Sequence, residues 1–297
     1  MFDVILPSEE IVSDPIPTEA HDPTEGVTDF SLQRSRGALD LAFSNRNGRF
    51  YPARTFQQGA LKVRFPNIVR GTIPEAVILN TAGGLAGDDR LNMQVQVDED
   101  TSATITSQAC EKVYCALGKP AQVTLNVNLD NGARLEWLPQ PMIFFNGACL
   151  ERQSYVSMAS DAFLLMVEGV VFGRAAMGEE VKTGSLSDLV EIRRDGRLIH
   201  ADRFDVKGDI AVLLDRRAVL DGHRAMTTTR YVAPDAEARL DEMRELTETS
   251  TCPAAVSAWD GMLVMRHVAH DSYTLNKELI RVLSVFRGMP MPRVWSI

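Results

Sequence analysis

Two stretches of the chain alternate apolar and polar residues with a period of two, and this alternation constrains the fold more than any other feature. In "RLNMQVQVDED" every second residue from position 91 to 97 is apolar, and in "AQVTLNVNLDNG" the same holds from position 123 to 129. Successive side chains of a β-strand point to opposite faces of the sheet. The alternation therefore predicts strands that bury one face.

Turn signals follow these strands closely. Asp130-Asn131-Gly132 comes directly after the second stretch, and Asp195-Gly196 interrupts "DLVEIRRDGRLIHADRFDV". Both predict the tight turns of β-hairpins. Short strands with turns about every 8 to 12 residues indicate an all-β sandwich, a barrel or a solenoid. No repeat of fixed length is visible, so the residues alone leave these three architectures open.

Two helices are predicted near the C-terminus. "APDAEARLDEMRELT" (233–247) has a proline near its start, acidic residues in its first turn and apolar residues on one face. "DSYTLNKELIRVLSVFRG" (271–288) begins with Asp271 or Ser272 as a capping residue and ends at Gly288. Apolar residues recur at helical spacing between these ends.

The negative charge of the chain is concentrated at its start. Residues 1–30 contain eight of the acidic residues, no lysine or arginine and four prolines, whereas the remainder has 32 acidic and 31 basic residues. Such a segment buries too little apolar surface to offset its ordering entropy, so we expect an acidic, disordered extension over 1–30. The nearly neutral remainder lacks the basic stripe that binding to nucleic acid requires.

Composition also limits the cellular compartment in which we expect the protein. No apolar run approaches the roughly 18 residues that cross a membrane, and the acidic "MFDVILPSEE" is unlike a secretory signal. Four cysteines in 297 residues do not suggest a disulfide framework. We therefore expect a cytoplasmic protein with no membrane partner.

The stretch "NTAGGLAGDDRL" (80–91) concentrates glycines and aspartates. A phosphate-binding loop would lead into a helix, but this one leads into an alternating strand. Gly83, Gly84 and Gly87 are instead predicted to adopt backbone angles unfavourable for other residues and to fold one strand back toward the next. On the residues alone, Asp88 and Asp89 are turn residues.

Five blocks in register carry a resemblance to a known family. "NTAGGLAGDDRL", "ITSQACEKVYCALGKPAQ", "LEWLPQPMIFFNGA", "FGRAAMGEE" and "MPRVWSI" occur in the order seen in the urease accessory protein UreD (UreH) family. The resemblance covers residues 31–297 and implies a single β-rich domain. It implies a mainly β fold, a β-helix-like stack of many short strands with two C-terminal α-helices.

The resemblance also implies a role. Members of this family are not enzymes but scaffolds that deliver nickel to apo-urease, with UreF as a direct partner and the GTPase UreG recruited through UreF. They hold no tightly bound cofactor, and nickel is in transit through an internal polar passage. Carboxylates and water suit such transit because they bind a borderline divalent cation without enclosing it.

Five acidic residues are candidates for that passage. Asp89 occupies the position of the aspartate in the Gly-Gly-Asp motif of the family, and Asp88 stands where glycine is more usual. Glu111 stands where a small hydroxyl residue is common. Glu168 lies in the apolar run "LLMVEGVVFG", where a carboxylate is costly to bury unless it is paired, hydrated or functional. The family also tends to place an acid at Asp202. The alternative for each is an ordinary salt bridge or turn contact.

Four other residues are candidates for partner binding. Arg174 and Glu179 flank a glycine-containing loop at a strand end, which suits docking. Arg293 and Trp295 belong to residue types enriched at interface centres. In the alternative interpretation Arg174 and Glu179 form a structural pair, and Trp295 pins the C-terminus to the core, which we favour for Trp295.

Two further interpretations remain. His267 and His270 fall at a strand end, where a spacing of three places them on opposite faces, so they are weak candidates for a metal pair. An enzyme of another class, a glycosidase-like hydrolase, would use Asp89, Glu168 and Asp202 as acid and base groups. Its exposed aromatic residues should be plentiful, yet only 7% of the chain is aromatic.

Overall fold

The computed structural model describes residues 34–66, 73–174 and 178–296. The acidic extension predicted for 1–30 lies outside these residues. The strands are, in chain order, β1 (Arg36–Arg46), β2 (Arg49–Gly59), β3 (Leu61–Arg64), β4 (Glu75–Asn80), β5 (Arg90–Val97), β6 (Ser102–Ser107), β7 (Lys112–Val113), β8 (Ala121–Leu129), β9 (Arg134–Leu138), β10 (Met142–Phe144), β11 (Cys149–Met158), β12 (Phe163–Phe172), β13 (Thr183–Arg194), β14 (Arg197–Asp209), β15 (Ala225–Val232), β16 (Ala254–Trp259) and β17 (Met262–Ala269).

The strands form two sheets between which the chain passes repeatedly. One sheet has the order β14-β13-β11-β8-β5-β1-β2, and the other contains β16-β17-β15-β12-β9-β6-β4-β3. The run β5, β8, β11, β13 in the first sheet and the run β4, β6, β9, β12 in the second are parallel. Each coil thus contributes one strand to each sheet. This is the β-helix-like stack, and it confirms the predicted fold class against a sandwich or a barrel.

The period-two alternation corresponds to the inner face of the first sheet. The apolar residues of β5 and β8 are buried, or half-buried against the core, and they are Leu91, Met93, Val95, Val97, Val123, Leu125, Val127 and Leu129. They pack against residues such as Ile105 and Leu135 of the second sheet. The prediction of half-buried strands is confirmed.

The two predicted hairpins differ in outcome. Asp195 and Gly196 both have positive φ, 50° and 77°, and join β13 to its antiparallel partner β14, so this hairpin is confirmed. Asp130-Asn131-Gly132 instead turns the chain from β8 in one sheet to β9 in the other. The hairpin prediction there is wrong, because the same turn residues also make the corner of a coil.

The loop 80–91 is likewise a corner between sheets. It carries the chain from β4 in one sheet to β5 in the other, so the turn is a corner between sheets. Its character as a tight turn is confirmed. At Gly84 (φ 151°) an added Cβ would lie 2.3 Å from the Tyr114 ring. Gly87 is confined by contact rather than by φ, since a Cβ there would lie 2.6 Å from the Lys119 carbonyl oxygen.

Three α-helices occur in the described residues: α1 (Ile210–Asp215), α2 (Leu240–Glu248) and α3 (Ser272–Arg287). The two predicted helices correspond to α2 and α3, with Asp271 as the N-cap and Gly288 as the left-handed C-cap of α3. The start of the first prediction forms turns and a 3-10 helix (Glu237–Arg239) instead. Helix α1 was not predicted, because six residues are too few to establish a periodicity.

Helices α2 and α3 cover the outer face of the second sheet. Apolar residues of α3 such as Leu279 and Leu283 pack against Val167 of β12 and Met265 of β17. Strand β12 is consequently buried on both faces. None of the helices in the described part of the chain is long and apolar enough to cross a membrane.

Candidate functional site

Two neighbouring cavities are formed by the part of the chain that the structure describes. The first, of about 260 Å³, is lined mainly by apolar side chains such as Leu91, Ile105 and Leu125, and we call it the apolar cavity. The second, of about 510 Å³, is lined by several charged side chains, and we call it the polar cavity. Both are bordered by Arg152, Glu168 and Gly169. These three residues form what we call the junction.

The strand register determines which side chains reach the junction. Glu168 alternates with Val167 and Gly169 along β12, so its side chain lies on the inner face, away from α3. On the opposing sheet Arg152 of β11 is the register partner of Asp188 of β13. The parallel stack thus brings together charges that are far apart in sequence.

Glu168 is held by two arginines and a serine. Its Oε1 accepts a hydrogen bond from Ser154 Oγ at 3.1 Å and lies 3.8 Å from Arg152 Nε. Its Oε2 accepts one from Arg230 Nη1 at 3.3 Å. Arg152 Nε also donates to Asp188 Oδ1 at 2.8 Å. Glu168, with 6% of its surface exposed, is therefore a paired carboxylate inside the fold.

Arg230 extends the network from Glu168 into the polar cavity. Its Nη2 donates to Asp202 Oδ2 at 2.7 Å, and Arg266 Nη2 donates to the same oxygen at 2.8 Å. The Nε of Arg230 donates to His200 Nε2 at 3.0 Å. The formal charges of the network balance, with three carboxylates and three guanidinium groups: Glu168, Asp188, Asp202, Arg152, Arg230 and Arg266.

The two acids of this network have opposite pKa shifts. Burial raises the pKa of Glu168 above its ordinary value, although Arg152 and Arg230 act in the other direction. Burial would also raise the pKa of Asp202, but Arg230 and Arg266 outweigh it, so the pKa is lowered. Asp202 is the more stable anion, and Glu168 is the one whose charge is costly.

His200 is neutral in this network. Burial and the nearby Arg230 lower its pKa to about 4. Arg230 Nε–H needs an acceptor, so His200 Nε2 carries a lone pair and the hydrogen is on Nδ1.

Glu111 borders the apolar cavity and not the polar cavity. It lines the apolar cavity, and its two carboxylate oxygens accept hydrogen bonds from Asn80 Nδ2 at 3.1 and 3.2 Å. Burial raises its pKa. The structure thus places Glu111, Glu168 and Asp202 in order along the two cavities.

Asp88 and Asp89 line neither cavity as described. Asp89 is 5% exposed, and its oxygens accept hydrogen bonds from the backbone N–H groups of Ser35, at 2.6 Å, and Ala86, at 2.8 Å. Asp88 has a positive φ of 66° at the turn itself. These contacts match the turn interpretation, and a part for either residue in nickel transit stays a prediction.

Metal ligands are sparse in the described ranges, where no group of three or more His, Cys, Asp or Glu side chains converges. His267 is fully buried, and burial lowers its pKa to about 4. His270 is exposed and stacks on His223. His267 and His270 therefore do not form a pair with each other.

The four candidate partner-binding residues separate into two kinds. Arg174 Nε donates to Glu179 Oε2 at 2.7 Å, and the guanidinium lies 4.6 Å from the centre of the Phe145 ring. Arg293 is exposed. Trp295 is only 2% exposed, and its Nε1 donates to the Leu138 carbonyl at 3.0 Å. This contact favours the pinning interpretation for Trp295.

Sequence reasoning missed the arginines of the network. Arg230 lies in "MTTTRYV", a strand in which it is the single charge, the same signal that singled out Glu168. Arg152 and Asp188 lie in strands with many polar residues, and nothing local marks them as inward-facing. Their role depends on register, which the sequence pattern does not give.

Comparison with known proteins identifies the family. The family model described as UreD urease accessory protein matches residues 35–296. Urease accessory protein UreD of Azorhizobium caulinodans is 40% identical over 265 residues, which is 89% of this chain and 97% of that protein. The protein of the same name from Rhizobium etli is 44% identical over 266 residues, 89% of this chain and 96% of that protein. The chain therefore belongs to the UreD family of urease accessory proteins.

Proposed function

We propose that this protein acts in the cytoplasm as a non-catalytic scaffold that delivers nickel to apo-urease. Its membership of the UreD family supports a role in urease maturation. The finer elements of the proposal are that it binds UreF, that UreF recruits UreG, and that nickel reaches the urease subunits through the interior of this chain. The observation that carries the route is the junction, where one buried carboxylate borders two cavities.

Glu168 is suited to a transient contact with a cation. Its charge is costly because it is buried, and it is stabilised by Arg152 and Arg230 rather than by fixed backbone donors. A hydrated nickel ion offers the carboxylate another positive partner, but Arg152 and Arg230 remain in place, so the ion adds positive charge to a network whose charges already balance. Because this excess charge is unfavourable, binding is brief, which a carrier requires.

The route has an acid at each stage. Glu111 serves in the apolar cavity, Glu168 at the junction and Asp202 in the polar cavity. Oxygen ligands hold a divalent ion less firmly than a closed set of thiolates or imidazoles, so each stage can release it.

Partner contacts are proposed for exposed and half-buried residues. Arg174 with Glu179, and Arg293 near the C-terminus, are the candidates for contact with UreF or urease. Trp295 is assigned to holding the terminus, since its indole lies among buried side chains.

The glycosidase-like alternative has less support. A retaining or inverting hydrolase needs one protonated acid and one free carboxylate beside a substrate. Glu168 and Asp202 are instead both bound to the same Arg230.

The test compares two buried glutamates that each pair with arginine. Glu168→Gln keeps the shape of the side chain but removes its charge. Glu278→Gln is the matched control, because Glu278 is 2% exposed and pairs with Arg281 yet lines neither cavity as described. Each variant is co-expressed with urease and the other accessory proteins, and urease activity and bound nickel are measured.

We expect Glu168→Gln to lower activation several-fold with the accessory complex intact, and Glu278→Gln to leave it near normal. Glu168→Leu should be worse, because it also expels water from the junction. Normal activation by Glu168→Gln would contradict the route, as would an equal loss from Glu278→Gln at equal recovery of the complex.

A further inference from the structure

Two histidines outside the junction lie face to face. The rings of His223 and His270 have centroids 4.3 Å apart and planes 18° from parallel. His223 precedes β15 and His270 follows β17, and these two strands are antiparallel partners. The backbone N–H of Arg224 donates to the Ala269 carbonyl at 3.0 Å, which holds the two segments side by side. Strand pairing, rather than spacing in the sequence, brings the imidazoles together.

His223 is oriented as a metal ligand would be. Its Nδ1 lies 2.7 Å from the Leu220 carbonyl oxygen, which can only accept, so Nδ1 carries the hydrogen. In the neutral ring Nε2 then keeps its lone pair. Histidines that bind metals usually donate their other ring N–H to a carbonyl or carboxylate, which fixes the ring and raises the basicity of the ligand nitrogen.

His270 supplies the second imidazole. It is exposed, and its ring nitrogens have no hydrogen-bond partner among the residues that the structure describes. Two imidazole nitrogens that share one ion at about 2.1 Å each are about 3 Å apart when they are adjacent ligands. In the stacked arrangement the planes of the two rings are nearly parallel, so their lone pairs meet at one ion only after the exposed His270 ring turns out of the stack toward His223 Nε2.

Two neighbouring charged side chains are already engaged. Asp271 accepts hydrogen bonds from Thr274 N and Oγ1, at 2.8 and 2.9 Å, as the cap of α3. Arg224 Nη2 donates to Asp215 at 2.7 Å, so its positive charge is compensated. The imidazoles are therefore the ligands that this surface offers to a cation.

We propose that His223 and His270 form an open, two-imidazole binding site for Ni²⁺ on the surface beside the polar cavity. The identity of the metal as cargo rests on the proposed function. Imidazole is well matched to nickel. With two protein ligands, the remaining coordination positions are left to water or to a side chain of the protein that hands over the ion. Leu220, whose carbonyl orients His223, also lines the polar cavity, so the site adjoins the route.

The experiment titrates the full-length chain with Ni²⁺ alone, in a buffer that does not bind metal, and follows the heat of binding. The variants are His223→Gln, His270→Gln and the double substitution. Tyr273→Gln is the control, because Tyr273 is 75% exposed and follows His270 closely without being a nickel ligand. Thermal unfolding shows that each variant is folded.

We expect each single histidine variant to weaken Ni²⁺ binding at this site by at least about tenfold. Because the two rings share one ion, the double variant should be little worse than either single variant. Tyr273→Gln should bind like the unsubstituted chain. Cu²⁺ bound in place of Ni²⁺ should show coupling to two nitrogens by electron paramagnetic resonance, and to one in either single variant.

Unchanged nickel affinity in both single variants would overturn the proposal. A lower number of bound ions with unchanged affinity would also overturn it, since it would mean two independent histidines. Urease activation by Glu168→Gln tests the delivery route, whereas this titration of the histidine variants tests the surface site. A failure of the delivery route and a failure of the histidine site are thus separate results.

Discussion

The loop around Asp89 and the junction around Glu168 both bury a carboxylate, but they hold it in different ways. Asp89 accepts from two backbone N–H groups and joins Ser35 to the corner between β4 and β5. Glu168 is bound by side chains of two other strands, β11 and β15, and borders two cavities. A carboxylate fixed by backbone donors stabilises one geometry, whereas one held by arginines beside open space can exchange partners. The predictions below test this difference, from the largest expected effect to the smallest.

The largest effect is expected at Arg230. Arg230→Met leaves Glu168 and Asp202 with fewer positive partners in the interior, and removing one member of a buried ion pair costs about 3–5 kcal/mol. Urea unfolding measures the loss. The control is Arg203→Met, at an exposed pair with Asp205, which should cost at most about 1 kcal/mol. Equal losses from both variants would remove the distinction between interior network and surface pair.

The next effect concerns a buried polar group with no partner in the described residues, His267. Burial lowers its pKa to about 4 in the folded state, against about 6.5 when unfolded. As pH falls between these values, the unfolded chain takes up a proton that the folded chain does not. Stability therefore decreases, by on the order of 3 kcal/mol for this residue.

His267→Phe removes this linkage. The free energy of unfolding of the variant should fall less steeply than that of the unsubstituted chain between pH 6.5 and pH 4. At pH 7 the variant should be at least as stable, because no unpaired polar atoms remain buried at that position. Parallel stability curves for the two proteins would show that His267 already has a partner.

At Asp89 we expect a moderate effect on stability alone. In Asp89→Asn one backbone N–H faces an amide NH₂ instead of an oxygen, which costs about 2 kcal/mol. Nickel delivery per folded molecule should stay normal, the reverse of the result expected for Glu168→Gln. Reduced urease activation with unchanged thermal stability would instead support a role for Asp89 in nickel transit.

The smallest effect is expected at Asp88, the residue before Asp89. Asp88 has a left-handed backbone, φ 66°, which glycine adopts without steric cost. Asp88→Gly should change the free energy of unfolding by no more than about 1 kcal/mol, because relief of strain and added unfolded-state entropy oppose each other. A clear fall in urease activation in this variant would show that the charge of Asp88 contributes to transit.

The sequence predicted the local structure of single elements better than it predicted which strands pair with each other. Alternation located the inward-facing residues of β5 and β8, and capping residues located α3, because both signals lie within one element. Asp130-Asn131-Gly132 predicted a turn correctly but not its destination, since a hairpin and a coil corner use the same residues. Which strands are neighbours depends on contacts far apart in the chain.

The candidate site shows the same limit. Glu168 stood out because it is an acid in an apolar strand, and Arg230 carries the same signal in a strand of threonines. Asp188 and Arg152 do not carry this signal, because their strands also have polar residues on the outer face. Asp89 and Glu168 were grouped by residue type and family motif, and only the geometry separated them.

The edges of the two sheets have a consequence for how copies of this protein meet. A stack of parallel strands could in principle grow by adding strands from another copy at either end. Here each end strand, β2 and β14 in one sheet and β3 and β16 in the other, runs antiparallel to its neighbour. Strand β2 also carries Arg49, Pro52 and Arg54, and charged residues and proline on an edge strand disfavour pairing with a further strand. The charges and the proline of β2 oppose pairing with a strand from another copy of the chain, so this edge resists extension by the same hydrogen bonding that builds the interior of the sheet.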